Sequence, residues 1–137
     1  MRFIDFDGIG ALAFWEWDFL AGTIVPSRRL PGLLGYATAE ELGPRFLYEL
    51  VHPEDAPPLQ AKIDAFEAGA LPVIQSQHRM RSPEGSWRWV ILRGEVTDRD
   101  DEGRPLKSRG FLLDASTNVR LLETLLYEKD SLSATLS

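Results

Sequence analysis

The chain has 137 residues, 44% hydrophobic and 26% charged, with four Trp and seven Phe, enough for one domain whose core needs no covalent staple. A net charge of −6 argues against non-specific nucleic-acid binding and against docking on anionic lipid, both of which need a basic face. The absence of Cys removes disulfides, thiolate metal sites and cysteine nucleophiles.

The first ten residues mix Phe3, Ile4, Phe6 and Ile9 with acids and glycines, which suits a short flanking segment laid over an apolar surface. Acids also stand where a secretory signal would be basic and then apolar. No apolar run reaches the roughly 18–20 residues that span a bilayer. A cytoplasmic chain with no membrane insertion of its own is expected.

Ala11 to Asp18 has the aromatic density of a strand. Period-2 alternation puts Ala13, Trp15 and Trp17 on one face and Leu12, Phe14 and Glu16 on the other. Phe19 to Gly22 reads as a tight turn and Thr23 to Pro26 as the second arm of a hairpin.

From Ser27 the character changes. Ser27 is expected to cap a short helix that Pro31 and Gly32 keep short. Thr38 with Glu41 three residues on is a capping box for a second helix. Phe46 to Val51 suits a third, ended by His52-Pro53. A longer amphipathic helix runs from the Glu54–Pro58 region to about Ala68, with Leu59, Ile63 and Phe66 sharing a face and Gly69 stopping it.

Three strands follow: Val73 to Arg81, Trp87 to Thr97, and a last one closing on Gly110 to Ser116. The turns between them contain Glu84-Gly85 and Glu102-Gly103, with Gly where a positive φ is needed. Two strands, several short helices and three strands make an α+β domain, an antiparallel sheet with helices on one face. In each of two strands a Trp pair stands at i and i+2, so Trp15 with Trp17, and Trp87 with Trp89, share a face. Trp15 and Trp89 are expected to be cross-strand neighbours. An exposed aromatic face would serve as an interface.

The last segment carries Asn118, Leu122, Leu125, Lys129, Leu132 and Leu136 at alternating spacings of four and three, the seam of a coiled coil. Three heptads are marginal alone. The leucines need a partner, most economically the same helix of a second chain, so a homodimer is expected through Leu122, Leu125, Leu132 and Leu136.

Several motifs stand in the order of a known family: Trp15-Glu-Trp-Asp18, Leu34-Gly-Tyr36, His52-Pro-Glu-Asp55, Arg79 followed by Pro83-Glu-Gly-Ser-Trp-Arg-Trp-Val90, Asp101-Glu-Gly-Arg-Pro105 and Gly110-Phe-Leu-Leu-Asp-Ala-Ser116. Together they resemble a PAS domain of the fold-3 type with a C-terminal PAC motif, as found in bacterial sensory proteins. The likeness spans roughly residues 10 to 120. It implies a five-stranded antiparallel sheet cupping a small cavity under short helices, and a C-terminal linker helix. It also implies a sensory or dimerising role, passed to a histidine kinase, diguanylate cyclase or phosphodiesterase module outside this chain. The expected organisation is a flanking segment (1–10), the PAS domain (11–116) and a signalling helix (117–137).

The candidate cavity is small and apolar, lined by Leu34, Phe46, Leu50, Ile63, Phe66, Val90, Leu92 and Phe111, with His78 as its polar member. His78 shares a face with Ser76 and Met80, and is weighed as a packed or surface residue before a haem ligand or a polar contact to a ligand; haem sensors of this type usually take their His from the long helix, which has none. His52, Glu54 and Asp55 would be poor metal ligands without further donors, and Pro53 with two acids suits a helix start. No metal site is expected. The ligand, if any, stays open: covalent flavin chemistry needs a Cys, haem is disfavoured, and non-covalent flavin is less so.

The signalling joint is placed at Arg79, Asp114 and Ser116, with Asp114 pairing Arg79 or Arg93, or capping the following helix together with Ser116. No nucleophile elbow, phosphate loop or metal-ligand spacing is visible, so no catalytic residue is assigned and the chain is not expected to be an enzyme. The alternative to a sensor is a ligand-free dimerisation scaffold on the same fold.

Overall fold

The computed structural model of the protein describes residues 12–115. They form nine elements: β1 (Leu12–Asp18), β2 (Thr23–Pro26), four helices α1 (Leu30–Leu33), α2 (Ala39–Leu42), α3 (Phe46–Glu49) and α4 (Ala56–Glu67), then β3 (Val73–Arg81), β4 (Trp87–Arg99) and β5 (Pro105–Asp114). The five strands make one antiparallel sheet in the order β2-β1-β5-β4-β3. The last strand therefore inserts between the first hairpin and the second, and both halves of the chain depend on it.

Local chemistry sets the helix bounds. Thr38 Oγ1 accepts the Glu41 N–H at 3.2 Å, while the Glu41 carboxylate reaches back to the Ala37 N–H, one residue before the cap. Ser27 does not cap α1. Its hydroxyl accepts the Phe14 N–H at 2.9 Å and so pins the end of the first hairpin, and Arg29 precedes the helix with no side-chain cap. In α4 the prolines fall in the first turn, where a missing N–H costs nothing, and Gly69 ends the helix at φ 85°. Gly85 and Gly103 take positive φ in the two hairpin turns, as expected.

The helices cover one face of the sheet. Trp15 and Trp17 of β1, Ile74 and Met80 of β3, Val90 and Leu92 of β4 and Leu112 of β5 pack there with Leu30, Leu34, Phe46, Leu47, Leu59, Ile63 and Phe66 of the helical layer. At roughly 1.5–3 kcal/mol per fully buried large apolar side chain, this layer is the main source of stability. On the opposite face Leu12, Ile91, Leu113 and Ala115 form a smaller buried cluster, with Phe14 and Phe111 packed against it.

Trp15 is not a neighbour of Trp89. Its Cα partners are Pro26 on β2 and Gly110 on β5, and β5 separates β1 from β4. The two indoles also point to opposite faces: Trp15 is buried at 1% exposure, whereas Trp89 is 44% exposed. The Trp15 ring lies across the cross-strand pair Gly94 and Gly110. A Cβ on Gly94 would stand 2.4 Å from the ring, and one on Gly110 would stand 2.7 Å from it and 1.9 Å from the Arg93 carbonyl oxygen. The two glycines make the slot that the largest side chain needs.

Candidate functional site

The inner layer is largely apolar and carries a buried polar pair on β3. Ser76, His78 and Met80 point from β3 toward the helices, and all three are buried. Ser76 Oγ lies 2.9 Å from His78 Nδ1. Among the described residues, two buried side-chain polar atoms lack a partner, His78 Nε2 and Ser108 Oγ. Burial pushes the His78 imidazole down to about 4, with Asp55 opposing the shift and Lys62 adding to it. The ring is neutral at pH 7, and one of its two nitrogens faces an apolar interior with nothing to bond.

Beside this pair the chain is clamped from the sheet edge. Asp55, at the start of α4, accepts from Arg79 three times, from the backbone N–H, from Nε and from Nη2, each at 2.9 Å. Glu54 takes a further contact from Nη2 at 3.2 Å. Arg79 holds the Asp55 carboxyl down at about 2, against the opposing effect of burial, and the Asp55 bond chiefly raises the guanidinium in turn. The guanidinium sits 5.2 Å over the Trp89 ring, and the His52 ring packs against Trp87 at 4.5 Å. His52 also donates its N–H to the Arg79 carbonyl and accepts the Glu54 N–H on Nδ1.

The His-Pro-Glu-Asp motif thus ties chain segments together, and not through the first helical turn where its acids were expected. Asp55 does not cap α4, and no acid stands in the first helical turn. Its carboxylate ties the helix start to β3 instead. Arg79 thus commits its side chain to Asp55 and Glu54, not to Asp114, which was one of the pairings expected at the joint. The partners are 24 residues apart, and no spacing rule in the sequence connects them.

Asp114 is buried and closes β5. It pairs in register with Val90, which pairs with His78, so the three form one row across β5, β4 and β3 on the inner face. The next residue, Ala115, donates its N–H to the Trp89 carbonyl at 2.8 Å. Ser116 and the seam residues Leu122, Leu125, Leu132 and Leu136 lie outside the described residues.

Of the expected cavity residues, Leu34, Phe46, Ile63, Phe66, His78, Val90 and Leu92 are brought together in the inner layer, and Leu50 is half-buried against it. Phe111 is not among them. It lies in register with Phe14 and Arg93 on the opposite face, because alternation along β5 gives the inner face to Leu112. That face carries an open depression of about 600 Å³, to which Phe14, Phe111, Glu16, Arg93, Glu95 and Arg109 contribute. Glu16, Arg109 and Glu95 make a row of alternating charge across β1, β5 and β4. Among the described residues no three His, Asp or Glu gather as metal ligands, and no helix is long and apolar enough to cross a membrane.

Residues 25–112 match the family model described as PAS fold. No curated protein matches the chain. Among solved structures, a sensory box histidine kinase/response regulator from Burkholderia thailandensis superposes with a TM-score of 0.69 at 22% identity, covering 97% of this chain and 99% of that one. The N-terminal domain of a diguanylate cyclase with PAS/PAC sensor from Marinobacter aquaeolei gives 0.62 at 20% identity, over 77% of this chain and 95% of that one. A LOV protein from Rhodobacter sphaeroides gives 0.63 at 15% identity, over 86% and 70%. At these identities the likeness is one of fold.

Proposed function

The chain belongs to the PAS fold family, and from that premise we propose that it is a regulatory module without catalysis of its own. It takes a small ligand between helices and sheet and passes the event through the segment after β5. The carrying observation is the buried, unpartnered Nε2 of His78 inside a largely apolar layer. A polar group left unbonded there costs free energy that a ligand can recover. The exit is close by, since Asp114 lies in the His78 row and Ala115 is bonded to β4.

On this reading residues 117–137 carry the signal and their leucine seam joins two chains, and the effector is a histidine kinase or cyclase-type domain outside this sequence. The histidine-kinase and diguanylate-cyclase neighbours support that output, and the working location is the cytoplasm. An absorbance spectrum and a native mass spectrum of the purified chain test the ligand: excess mass released on denaturation is expected. Leu125→Asp should convert dimer to monomer in sedimentation. An unchanged dimer would sink the seam as the interface.

One observation favours a ligand-free dimerisation scaffold. The interior is lined by the chain's own aromatic rings, Trp17 against Phe19 at 5.0 Å and Tyr48 at 6.1 Å, and Phe19 against Phe66 at 5.6 Å. A clean apo mass with an intact dimer would select this reading.

A further inference from the structure

We propose that residues 1–10 dock in cis on the outer face of their own sheet, seating Phe3, Ile4, Phe6 and Ile9 on the patch of Leu12, Ile91, Leu113 and Ala115. The docked segment closes this patch to a second copy of the chain. The proposal goes beyond the ligand-binding reading and does not depend on it.

The starting point is a burial that the described residues do not account for. Leu12, Ile91, Leu113 and Ala115 stand on the face away from the helices, yet each is 4% exposed or less. The partly buried apolar side chains packed against them, Phe14 and Phe111, belong to β1 and β5 themselves. Strand neighbours about 5 Å apart shield one another's flanks and leave the tips of the side chains open. Trp87 and Trp89, on the same face of β4 as Ile91, stay 42% and 44% exposed. The patch therefore has a cover that the Trp pair lacks. It is buried within a single chain, so the cover comes from the residues before Leu12 or those after Ala115.

The residues before Leu12 fit better. Phe3, Ile4, Phe6 and Ile9 supply four large apolar groups within ten residues. Gly8 and Gly10 stand directly before β1, where a chain that reverses over its own strand needs residues without a Cβ. Leu12 is itself part of the patch, so the connection is short and the segment docks at high effective concentration. Arg93, in the Phe14–Phe111 row beside the patch, brings positive charge that suits Asp5 and Asp7. The leucines after Ala115 are instead spaced as a narrow seam that one partner helix fills. Ala115 shares the cover, and its N–H holds the Trp89 carbonyl, so the docked segment also steadies the end of β5.

The chain has no Cys, which permits a cross-linking test on the full chain. Gln77 is exposed on β3, in the row of Ile91, Leu113 and Leu12. Gln77→Cys is combined in turn with Phe3→Cys, Ile4→Cys, Phe6→Cys and Ile9→Cys, and for comparison with Leu122→Cys, and each double variant is treated with a short bismaleimide. At least one of the first four should cross-link within the monomer, about tenfold or more faster than the Leu122 variant. Equal or faster reaction of the Leu122 variant would overturn the proposal in favour of the C-terminal segment. A product of doubled mass would overturn it in favour of a segment exchanged between two copies, and no cross-link from any of the four would overturn it outright. As a second measurement, the Ile91 and Leu113 methyl signals should be shielded from a soluble paramagnetic agent in the wild type and exposed to it when Phe3→Asp and Phe6→Asp are combined. Equal shielding in both would also overturn it. Should that variant not fold, the cross-links still decide.

Discussion

Asp55 accepts the backbone N–H and the guanidinium of Arg79 at once, so one carboxylate fastens the start of α4 to both the main chain and the side chain of β3. β3 is an edge strand, and its outward-facing groups near residue 79 would otherwise be open to pairing with another chain. The segment around His52 completes the cover: His52 donates to the Arg79 carbonyl, and Arg81 donates to the Leu50 carbonyl.

Replacing Asp55 with Ala removes three charge-assisted bonds and leaves a backbone N–H without its partner. A loss of about 1.5–3 kcal/mol is expected in urea unfolding at pH 7. The folded carboxyl titrates at about 2, below its ordinary 3.8. Its contribution is therefore present above 3.8 and is lost as the pH falls through about 2. The gap between wild type and Asp55→Ala should shrink across that window; a gap of constant size would show that the carboxylate charge is not what holds β3.

His78 gives a separate acid limb. Its folded value of about 4 lies below the ordinary 6.5, so between these values the unfolded chain binds the additional proton. Stability should be level in this respect above pH 6.5 and fall by about 2–4 kcal/mol on the way to pH 4. Glu67 works the other way near the bottom of the window, since burial and Asp64 raise its carboxyl and protonation relieves it. His78→Gln should flatten the limb. A variant that keeps the same slope would assign the limb to another group.

The slot under Trp15 should be intolerant of a single methyl. Gly110→Ala drives a Cβ into the Arg93 carbonyl oxygen and the Trp15 ring, and a cost of about 3 kcal/mol or failure to fold is expected. Gly94→Ala meets chiefly the ring. Trp15→Phe should recover part of the Gly94→Ala loss and little of the Gly110→Ala loss, measured as a double-mutant cycle. Strict additivity at Gly94 would refute the contact.

Thr38→Ala removes the hydroxyl that accepts the Glu41 N–H. A loss of about 1 kcal/mol is expected by thermal or chemical unfolding, and Thr38→Ser should restore most of it. If serine fares no better than alanine, the cap is not the cause.

What can be read along the chain is what neighbouring residues decide among themselves. Alternation set the faces of Trp15, Trp17, His78, Met80, Trp87 and Trp89, and turn glycines and the Thr38 cap marked where elements change, because these follow from local backbone geometry. The motif order was enough to indicate the PAS fold. Contacts between distant segments obey no such rule. Only the placement of β5 between β1 and β4 separated Trp15 from Trp89 and aligned His78 with Asp114. Only the docking of α4 on β3 gave Arg79 to Asp55 instead of Asp114, since a salt bridge goes to the carboxylate that packing brings within 3 Å, whatever its distance in sequence.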